Sequence, residues 1–223
     1  MEYQALKRGI DCFIAILATV FLSPLLLLLA AAIKLESKGP VFFKQKRVGL
    51  HKSFFMIYKF RTMRTDTPKD VPTHLLEDPE QYITKVGHFL RKTSLDELPQ
   101  LFNIIKGDMA IVGPRPALWN QDDLVAERDK YGANDVLPGL TGWAQINGRD
   151  ELEIPVKAKL DGEYVKRMGP LFDLCCICGT VFSVLRSDGV VEGGTGTLSG
   201  EKLERKASKG MKRHEEGLDY GDD

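Results

Sequence analysis

The chain has 223 residues, of which 43% are hydrophobic, and its 31 basic side chains are balanced by 31 acidic ones. This length suits one sizeable domain, alone or with short appendages. A nucleic-acid-binding domain would carry an excess of basic residues, so a formal net charge of zero argues against that class of protein.

The first predicted element is a membrane segment between Asp11 and Lys34, where 22 consecutive residues carry no charge. As a helix at about 1.5 Å per residue it would be around 33 Å long, enough for the ~30 Å core of a bilayer. Ser23 and Pro24 lie at its centre, and a proline there predicts a kink because it removes a hydrogen-bond donor.

Basic residues flank this segment on both sides, which by the positive-inside rule assigns both flanks to the cytoplasm. They are Lys7, Arg8, Lys34, Lys38, Lys44, Lys46 and Arg47. A helix–break–helix hairpin over residues 1–38, broken at Ser23-Pro24, satisfies this distribution because it enters and leaves the membrane on one side. A kinked helix that crosses the membrane is the main alternative. A cleaved signal peptide fits less well, because its apolar region would be shorter.

The segment after the apolar run predicts a β-hairpin. In GPVFFKQKRVGLHKSFFMIYKFRTMRTD, which begins at Gly39, aromatic and branched residues alternate with basic ones between glycine and proline positions. Its mixed basic and aromatic surface either lies at lipid headgroups or faces solvent, and composition does not separate these alternatives. The next stretch, Asp66 to Tyr82, is rich in proline and acids and predicts a loop.

The second half of the chain predicts mostly helices, and the whole chain is a mixed α/β fold that is mainly α. One helix ends near Lys92 and another ends at Gly107, in the position after the last helical residue. The Pro138-Gly139 and Asn147-Gly148 pairs predict turns. A helical stretch from Ile154 to about Arg186 is interrupted at Gly169-Pro170. The predicted divisions are the hairpin 1–38, a cytosolic domain 39–200 and a charged flexible tail 201–223.

Two adjacent acids, Asp96 and Glu97, have two possible local explanations. Ser94 and Glu97 match a capping box, in which both acids would stabilise the first turn of a helix without any chemistry. Alternatively Pro99 opens the helix, as proline prefers, and both acids lie in the turn that leads into it. In that position the cations Arg91 and Lys92 would keep the carboxylates ionised and available to a metal or an electrophile.

Arg115 lies between two prolines in the sequence GPRP, which limits the backbone freedom around it. A guanidinium held in this way loses little entropy on binding, and arginine is the usual bidentate ligand of phosphate. The alternative is a surface arginine in an ion pair. Together with the acid pair and a membrane anchor, Arg115 suggests phosphoryl chemistry on a lipid-soluble substrate.

Three stretches carry a resemblance to a known family. KFRTM (Lys59–Met63), LRKTSLDELPQLFNIIKGDMAIVGPRP (Leu90–Pro116) and PGLTGWAQINGR (Pro138–Arg149) resemble the bacterial sugar transferase family, the small monotopic phosphoglycosyl transferases. The resemblance covers the chain from about Lys7 to Gly200. It implies a re-entrant helix broken at Ser23-Pro24, in the bacterial inner (cytoplasmic) membrane, with the active site on the cytoplasmic face.

The resemblance also implies a reaction. A phosphosugar would pass from a UDP-sugar to polyprenyl (undecaprenyl) phosphate with release of UMP, in a Mg²⁺-dependent first membrane step of glycan assembly. Asp96 would attack the sugar-bearing phosphorus, form an aspartyl-phosphosugar intermediate and help hold the metal, with Glu97 as its catalytic neighbour. The matching motif positions expected to contact phosphate or nucleotide are Lys59, Arg61, Arg91, Arg115, Gln145 and Arg149. Asp161 is a weaker site candidate, because an acid on a helix is more often structural.

Two further functions stay open at this point. A non-catalytic membrane scaffold for glycan-assembly enzymes would need the acid pair only as a helix cap. A peripheral protein that binds anionic lipids would use the basic surface between Lys44 and Lys59. The expected partners are the UDP-sugar, polyprenyl phosphate and membrane lipids, together with later glycosyltransferases or a second copy of the chain, and no nucleic acid.

Overall fold

A computed structural model of the chain describes residues 2–67, 79–148 and 152–185. The tail 201–223, most of the predicted acidic loop and Arg149 lie outside these ranges. Within them the protein is mixed α/β and mostly helical, as the sequence predicts, with two small two-stranded sheets.

The N-terminal helix α1 runs from Glu2 to Glu36 and continues through Pro24, where a helix–break–helix was predicted. The local reason is a substitute hydrogen bond. Proline at position 24 has no N–H to offer the carbonyl of Val20, and the Ser23 hydroxyl donates to that oxygen instead, at 2.7 Å. Among the described helices, α1 is long and apolar enough to cross a membrane by length and composition. Its path in a bilayer stays a prediction.

The N-terminal end of α1 is attached to the rest of the protein by charged contacts. The Lys7 ammonium lies 3.1 Å from the carboxylate of Asp11 and 2.7 Å from that of Asp173, and all three side chains are buried. The Arg8 guanidinium donates to the carbonyl of Ile104. These bonds hold the first turns of α1 against the helices that follow in the sequence.

The C-terminal end of α1 is attached to the same domain. The buried guanidinium of Arg61 donates to the carbonyls of Ser37 and Lys38, just after the end of the helix. The Glu36 carboxylate accepts the backbone N–H groups of Lys85 and Val86, at the start of the next helix. Both ends of α1 therefore rest on one body.

The predicted β-hairpin is confirmed. β1 (Phe42–Val48) pairs antiparallel with β2 (Phe54–Phe60). Ile57 on β2 packs against α1 and the neighbouring helix in a cluster with Ala15 and Ile104. The other edge of β2 is closed by the side chain of Asn103, whose amide accepts from the Tyr58 N–H and donates to the Met56 carbonyl.

Among the described residues, the remaining elements are six short-to-medium helices and a second, parallel sheet. They are α2 (Lys85–Thr93), α3 (Gln100–Lys106), β3 (Ala110–Val112), α4 (Asp122–Asp129), β4 (Gly139–Thr141), α5 (Trp143–Asn147), α6 (Ile154–Arg167) and α7 (Pro170–Leu185). The predicted helix ends at Lys92 and Gly107 and the interruption at Gly169-Pro170 are confirmed. The turn predicted at Pro138-Gly139 is wrong, because Gly139 begins β4 and pairs with Ala110.

Glycine is required where β3 and β4 meet. A side-chain carbon at Gly139 would lie 2.1 Å from the backbone nitrogen of Gly113, and one at Gly113 would lie 2.4 Å from the carbonyl of Leu137. These backbones are too close for any side chain, so the glycines allow the parallel pairing and place the residues that follow Gly113.

Candidate active site

The acid pair lies in a turn between two helices. α2 ends at Ser94, which has a left-handed backbone (φ 56°), and residues Leu95–Glu97 then form a single 3₁₀ turn. α3 begins at Gln100, directly after Pro99. The interpretation in which Pro99 opens a helix, with both acids in the turn before it, is confirmed to within one residue.

The capping box is therefore wrong. The Ser94 side chain makes no cap hydrogen bond, because its left-handed backbone terminates α2 and does not start a helix. The Glu97 carboxylate is engaged with side chains from other parts of the chain. Its Oε1 accepts from the Lys59 ammonium at 2.8 Å and from the Arg115 guanidinium at 3.0 Å.

This cluster of Glu97, Lys59 and Arg115 is largely removed from water, which sets the protonation of its carboxylate. Burial alone raises the pKa of Glu97, but the charges of Arg115 and Lys59 outweigh burial and hold the pKa well below its ordinary value. Glu97 is therefore an anion at any physiological pH. It neutralises one of the two cations.

Asp96 lies beside this cluster and is buried, with only 6% of its surface exposed. Its Oδ2 is 3.7 Å from the Lys59 ammonium, a longer contact than the one that Lys59 makes with Glu97. Lys59 thus touches both acids but is held mainly by Glu97. The Asp96 carboxylate is therefore next to positive charge, and it is farther from the Lys59 ammonium than Glu97 is.

The loop after β3 positions Arg115. The Gly113 N–H donates to the carbonyl of Thr141, and the Pro114 carbonyl accepts from the Gly139 N–H. These two hydrogen bonds hold the start of the loop against both ends of β4. The Arg47 guanidinium on β1 donates to the Pro116 carbonyl. With prolines on either side, Arg115 leaves this fixed backbone toward Glu97.

Other predicted site residues have different surroundings. Arg91 is in the last turn of α2 and its Nε donates to the Thr62 hydroxyl at 2.9 Å. Gln145 on α5 is next to the loop that carries Arg115. Both its Oε1 and the Gly113 carbonyl lie close to Gly142, at 2.7 Å and 2.1 Å from where a side-chain carbon at Gly142 would be. Both amide atoms of Gln145 are buried without a hydrogen-bond partner among the described residues.

Arg61 and Asp161 make contacts with other parts of the protein. Arg61 donates to the carbonyls at the end of α1, which is a structural contact, and its predicted contact with phosphate stays a prediction. Asp161 on α6 is buried against Arg128 on α4, with its Oδ2 2.6 Å from the guanidinium. This ion pair joins two helices, so the structural alternative for Asp161 is the one that its surroundings support.

Gln100 is a residue to which the sequence assigned no role. It follows Asp96 by one helical turn and is 2% exposed, and its Nε2 has no hydrogen-bond partner within the described ranges. A buried amide donor without a partner carries a desolvation cost, so such a group is a candidate for contact with a ligand. The only sequence signal was its position four residues after Asp96.

The side chains present fit a Mg²⁺ ion that is held largely by its substrate. The described residues contain no group of three or more His, Cys, Asp or Glu side chains that could hold a metal by themselves. Magnesium in phosphoryl-transfer sites uses one or two carboxylates and completes its shell with phosphate oxygens and water. Asp96 provides a suitable carboxylate, whereas Glu97 is occupied by two cations.

Comparisons with known proteins match this chain to sugar transferases. The family model described as "Bacterial sugar transferase" matches residues 2–187. An uncharacterized sugar transferase, EpsL, of Bacillus subtilis is 44% identical over 185 residues, which cover 83% of this chain and 90% of that protein. A UDP-glucose:undecaprenyl-phosphate glucose-1-phosphate transferase of Escherichia coli is 41% identical over 193 residues, 80% of this chain.

A third relative differs in the sugar that its name gives. It is a UDP-N-acetylgalactosamine-undecaprenyl-phosphate N-acetylgalactosaminephosphotransferase of Aeromonas hydrophila, 37% identical over 195 residues, or 84% of this chain. The similarity covers only 40% of the Escherichia coli protein and 45% of the Aeromonas protein. The chain thus corresponds to less than half of the length of these two relatives.

Proposed function

This chain belongs to the bacterial sugar transferase family, and on that premise we propose that it transfers a sugar phosphate from a UDP-sugar to polyprenyl (undecaprenyl) phosphate and releases UMP. The observation that carries the proposal is the cluster in which Glu97 holds Lys59 and Arg115 beside the buried Asp96. Relatives named for this reaction with different sugars support the reaction class.

The charges of the cluster suit a diphosphate. Lys59 and Arg115 together carry two positive charges, which Glu97 and the Asp96 carboxylate balance before substrate binds, and phosphate oxygens beside Asp96 would contact the same two cations. Because Glu97 holds both cations in place before substrate arrives, little reorganisation is needed when negative charge develops in the transition state. Arg115 contributes a fork of donors that matches phosphate geometry.

The chemistry proceeds in two displacements at phosphorus. In the first, an Asp96 carboxylate oxygen forms a bond to the sugar-bearing phosphorus while the bond from that phosphorus to the UMP oxygen breaks, and UMP leaves. In the second, a phosphate oxygen of the polyprenyl carrier attacks the same phosphorus and the bond to Asp96 breaks. The division lets a water-soluble donor and a lipid acceptor use one site in turn. Bound Mg²⁺, held by Asp96 and phosphate oxygens, would supply neutralisation of charge on the diphosphate.

Attachment of both ends of α1 to one domain supports a re-entrant placement of that helix. Lys7 and Arg8 near its start, and Glu36 at its end, contact the same body. If that body lies in the cytoplasm, neither end of α1 can be on the far side of the membrane. The apolar middle of the helix then dips into one leaflet, and the Asp96 site stays close to the headgroups, where the phosphate of the acceptor resides.

Release of UMP tests the proposal. Purified protein, polyprenyl phosphate, Mg²⁺ and a panel of UDP-sugars are mixed, and UMP is measured with each donor. Wild type is expected to release UMP with at least one sugar, and Asp96→Asn is expected to release none. Asp135→Asn is a matched control, because Asp135 is an exposed aspartate that pairs with His51.

A trapping experiment tests the intermediate separately. With a donor labelled in the sugar and no polyprenyl phosphate, wild type should retain label on the polypeptide and Asp96→Asn should not. Turnover by Asp96→Asn, or product formation by wild type without any bound label under rapid quenching, would rule out Asp96 as the nucleophile. Absence of UMP release with every donor, in protein that binds membranes normally, would favour the scaffold.

A further inference from the structure

The hairpin of β1 and β2 divides its basic residues between two faces. Lys59 is on the face that carries Ile57 and contacts the acid pair. Lys44 and Lys46 point to the opposite face, where their partners across the ladder are Tyr58 and Met56. The basic stretch that the sequence presents as one surface is therefore two surfaces, and only one of them belongs to the proposed active site.

The second surface combines lysines with exposed aromatic rings. The Lys46 ammonium is 4.0 Å from the ring centre of Phe54 and 5.9 Å from that of Trp119, and those of Lys44 and Lys106 are 5.3 Å and 5.5 Å from that of Tyr58. Phe54 is 56% exposed and Trp119 is 53% exposed. We call this set, with Met56, the lysine–aromatic face.

We propose that the lysine–aromatic face binds the headgroups of anionic lipids at the membrane surface. The inference rests on the proposed membrane placement of α1 and adds a second, electrostatic contact to it. Among the described residues, Lys44 and Lys46 form no ion pair with a carboxylate, and Lys106 has Asp108 at 3.4 Å. The ammonium groups of Lys44 and Lys46 are thus free for phosphate oxygens.

The position of this face supports a lipid partner. At one end Phe42 stacks on Phe60, with ring centres 5.7 Å apart, and Phe60 packs with Leu29 of α1. At the other end Lys106 closes α3, whose Ile104 carbonyl accepts from Arg8 of α1. The face therefore adjoins residues that contact the apolar helix on two sides, and aromatic rings beside a membrane segment are typical of the membrane interface.

The composition favours headgroups over a protein partner. Lysine is depleted at the centres of protein–protein interfaces, whereas lysines with neighbouring tryptophan and phenylalanine are typical of surfaces that lie in the headgroup layer. The lysines meet the negative potential of the membrane, and the rings of Phe54 and Trp119 reach the boundary of the acyl chains.

Fluorescence of Trp119 provides a direct test in the full chain. The protein is reconstituted into two sets of phosphatidylcholine vesicles. In one set a fixed fraction of the lipid is brominated phosphatidylcholine, and in the other set the same fraction is brominated phosphatidylglycerol. Bromine quenches a nearby indole, and Trp119→Phe identifies how much of the signal comes from that residue and not from Trp143. The test variant is Lys44→Gln with Lys46→Gln, and the matched control is Lys159→Gln with Lys166→Gln, two exposed lysines on α6.

We expect brominated phosphatidylglycerol to quench Trp119 more strongly than brominated phosphatidylcholine. The test variant should weaken this contact about fivefold for each lysine removed, and the control variant should retain it. Raised salt should remove the difference, because headgroup attraction is screened beyond about 10 Å at 0.1 M. Equal quenching by both lipids in wild type, or unchanged quenching in the test variant, would overturn the proposal.

The membrane placement of α1 is measured in the same preparations by flotation with pure phosphatidylcholine vesicles. Insertion of an apolar helix does not depend on Lys44 or Lys46, so the test variant should float as wild type does. Flotation without lipid-selective quenching would reject the lysine–aromatic face and leave α1 as proposed. Failure to float on phosphatidylcholine would instead reject the membrane placement of α1.

Discussion

Replacement of Glu97 by glutamine tests the charge cluster most directly. The substitution keeps the size of the side chain and an oxygen that can accept hydrogen bonds, but it removes the anion between Lys59 and Arg115. Two cations would then face each other in a site that is mostly shielded from water. Arg115 is partly exposed, so water offsets some of the cost.

The size of the effect can be estimated. Loss of one partner from a buried ion pair costs about 3–5 kcal/mol, and the remaining neutral hydrogen bonds together with partial exposure of Arg115 reduce this to about 2–4 kcal/mol. In a protein of this length, about 1 kcal/mol shifts the midpoint of thermal unfolding by roughly 2–4 °C. Glu97→Gln is therefore expected to lower that midpoint by about 4–16 °C near neutral pH.

The stability that Glu97 contributes depends on pH in a direction that its pKa shift determines. The pKa of Glu97 is lowered in the folded protein, so its stabilising contribution is complete above the unfolded value of about 4.3 and is lost as the pH falls through the folded value. Thermal unfolding of wild type and Glu97→Gln in detergent, followed by circular dichroism from pH 7 down to pH 3, should give curves that converge on acidification. A constant difference between the two proteins across this range would refute the electrostatic account.

Three more predictions concern residues with contrasting roles. Arg61→Gln should lower the unfolding temperature, because it removes the cap of α1, but leave the KM for UDP-sugar unchanged in vesicle-bound protein. A raised KM at normal stability would show that Arg61 contacts phosphate. Gln100→Leu should leave the free energy of unfolding equal or up to about 1 kcal/mol higher, because a buried unpaired donor is removed, but UMP release should fall. Full activity of this variant would show that the amide contacts no ligand. Gly139→Ala should lower stability by at least about 3 kcal/mol, since the added carbon would lie 2.1 Å from a backbone nitrogen. The control is Gly9→Ala, because Gly9 is exposed and has no heavy atom within 4 Å of an added carbon; equal unfolding temperatures would contradict the close approach of β3 and β4.

Elements with a local cause were predictable from the sequence. The hairpin strands follow from alternation and turn residues, the end of α3 from Gly107, and the separation of α6 from α7 from Gly169-Pro170. The motifs around Asp96 and Arg115 were long enough to indicate the family before any geometry was known. The Ser23-Pro24 pair lies inside α1, and the serine hydroxyl donates to the carbonyl that Pro24 leaves without a donor, so the helical hydrogen bonding continues while the bend stays a prediction.

The site depended on contacts between distant residues, and these only the tertiary structure decided. Glu97 meets Lys59 across 38 residues of chain and Arg115 across 18, and the same kind of distant contact directs Arg61 to the end of α1 and Asp161 to Arg128. A motif identifies which side chains are present, but their partners depend on how strands and helices pack. Local hydrogen bonding and periodicity thus determined the elements, and the burial of charge between elements determined which residues form the site.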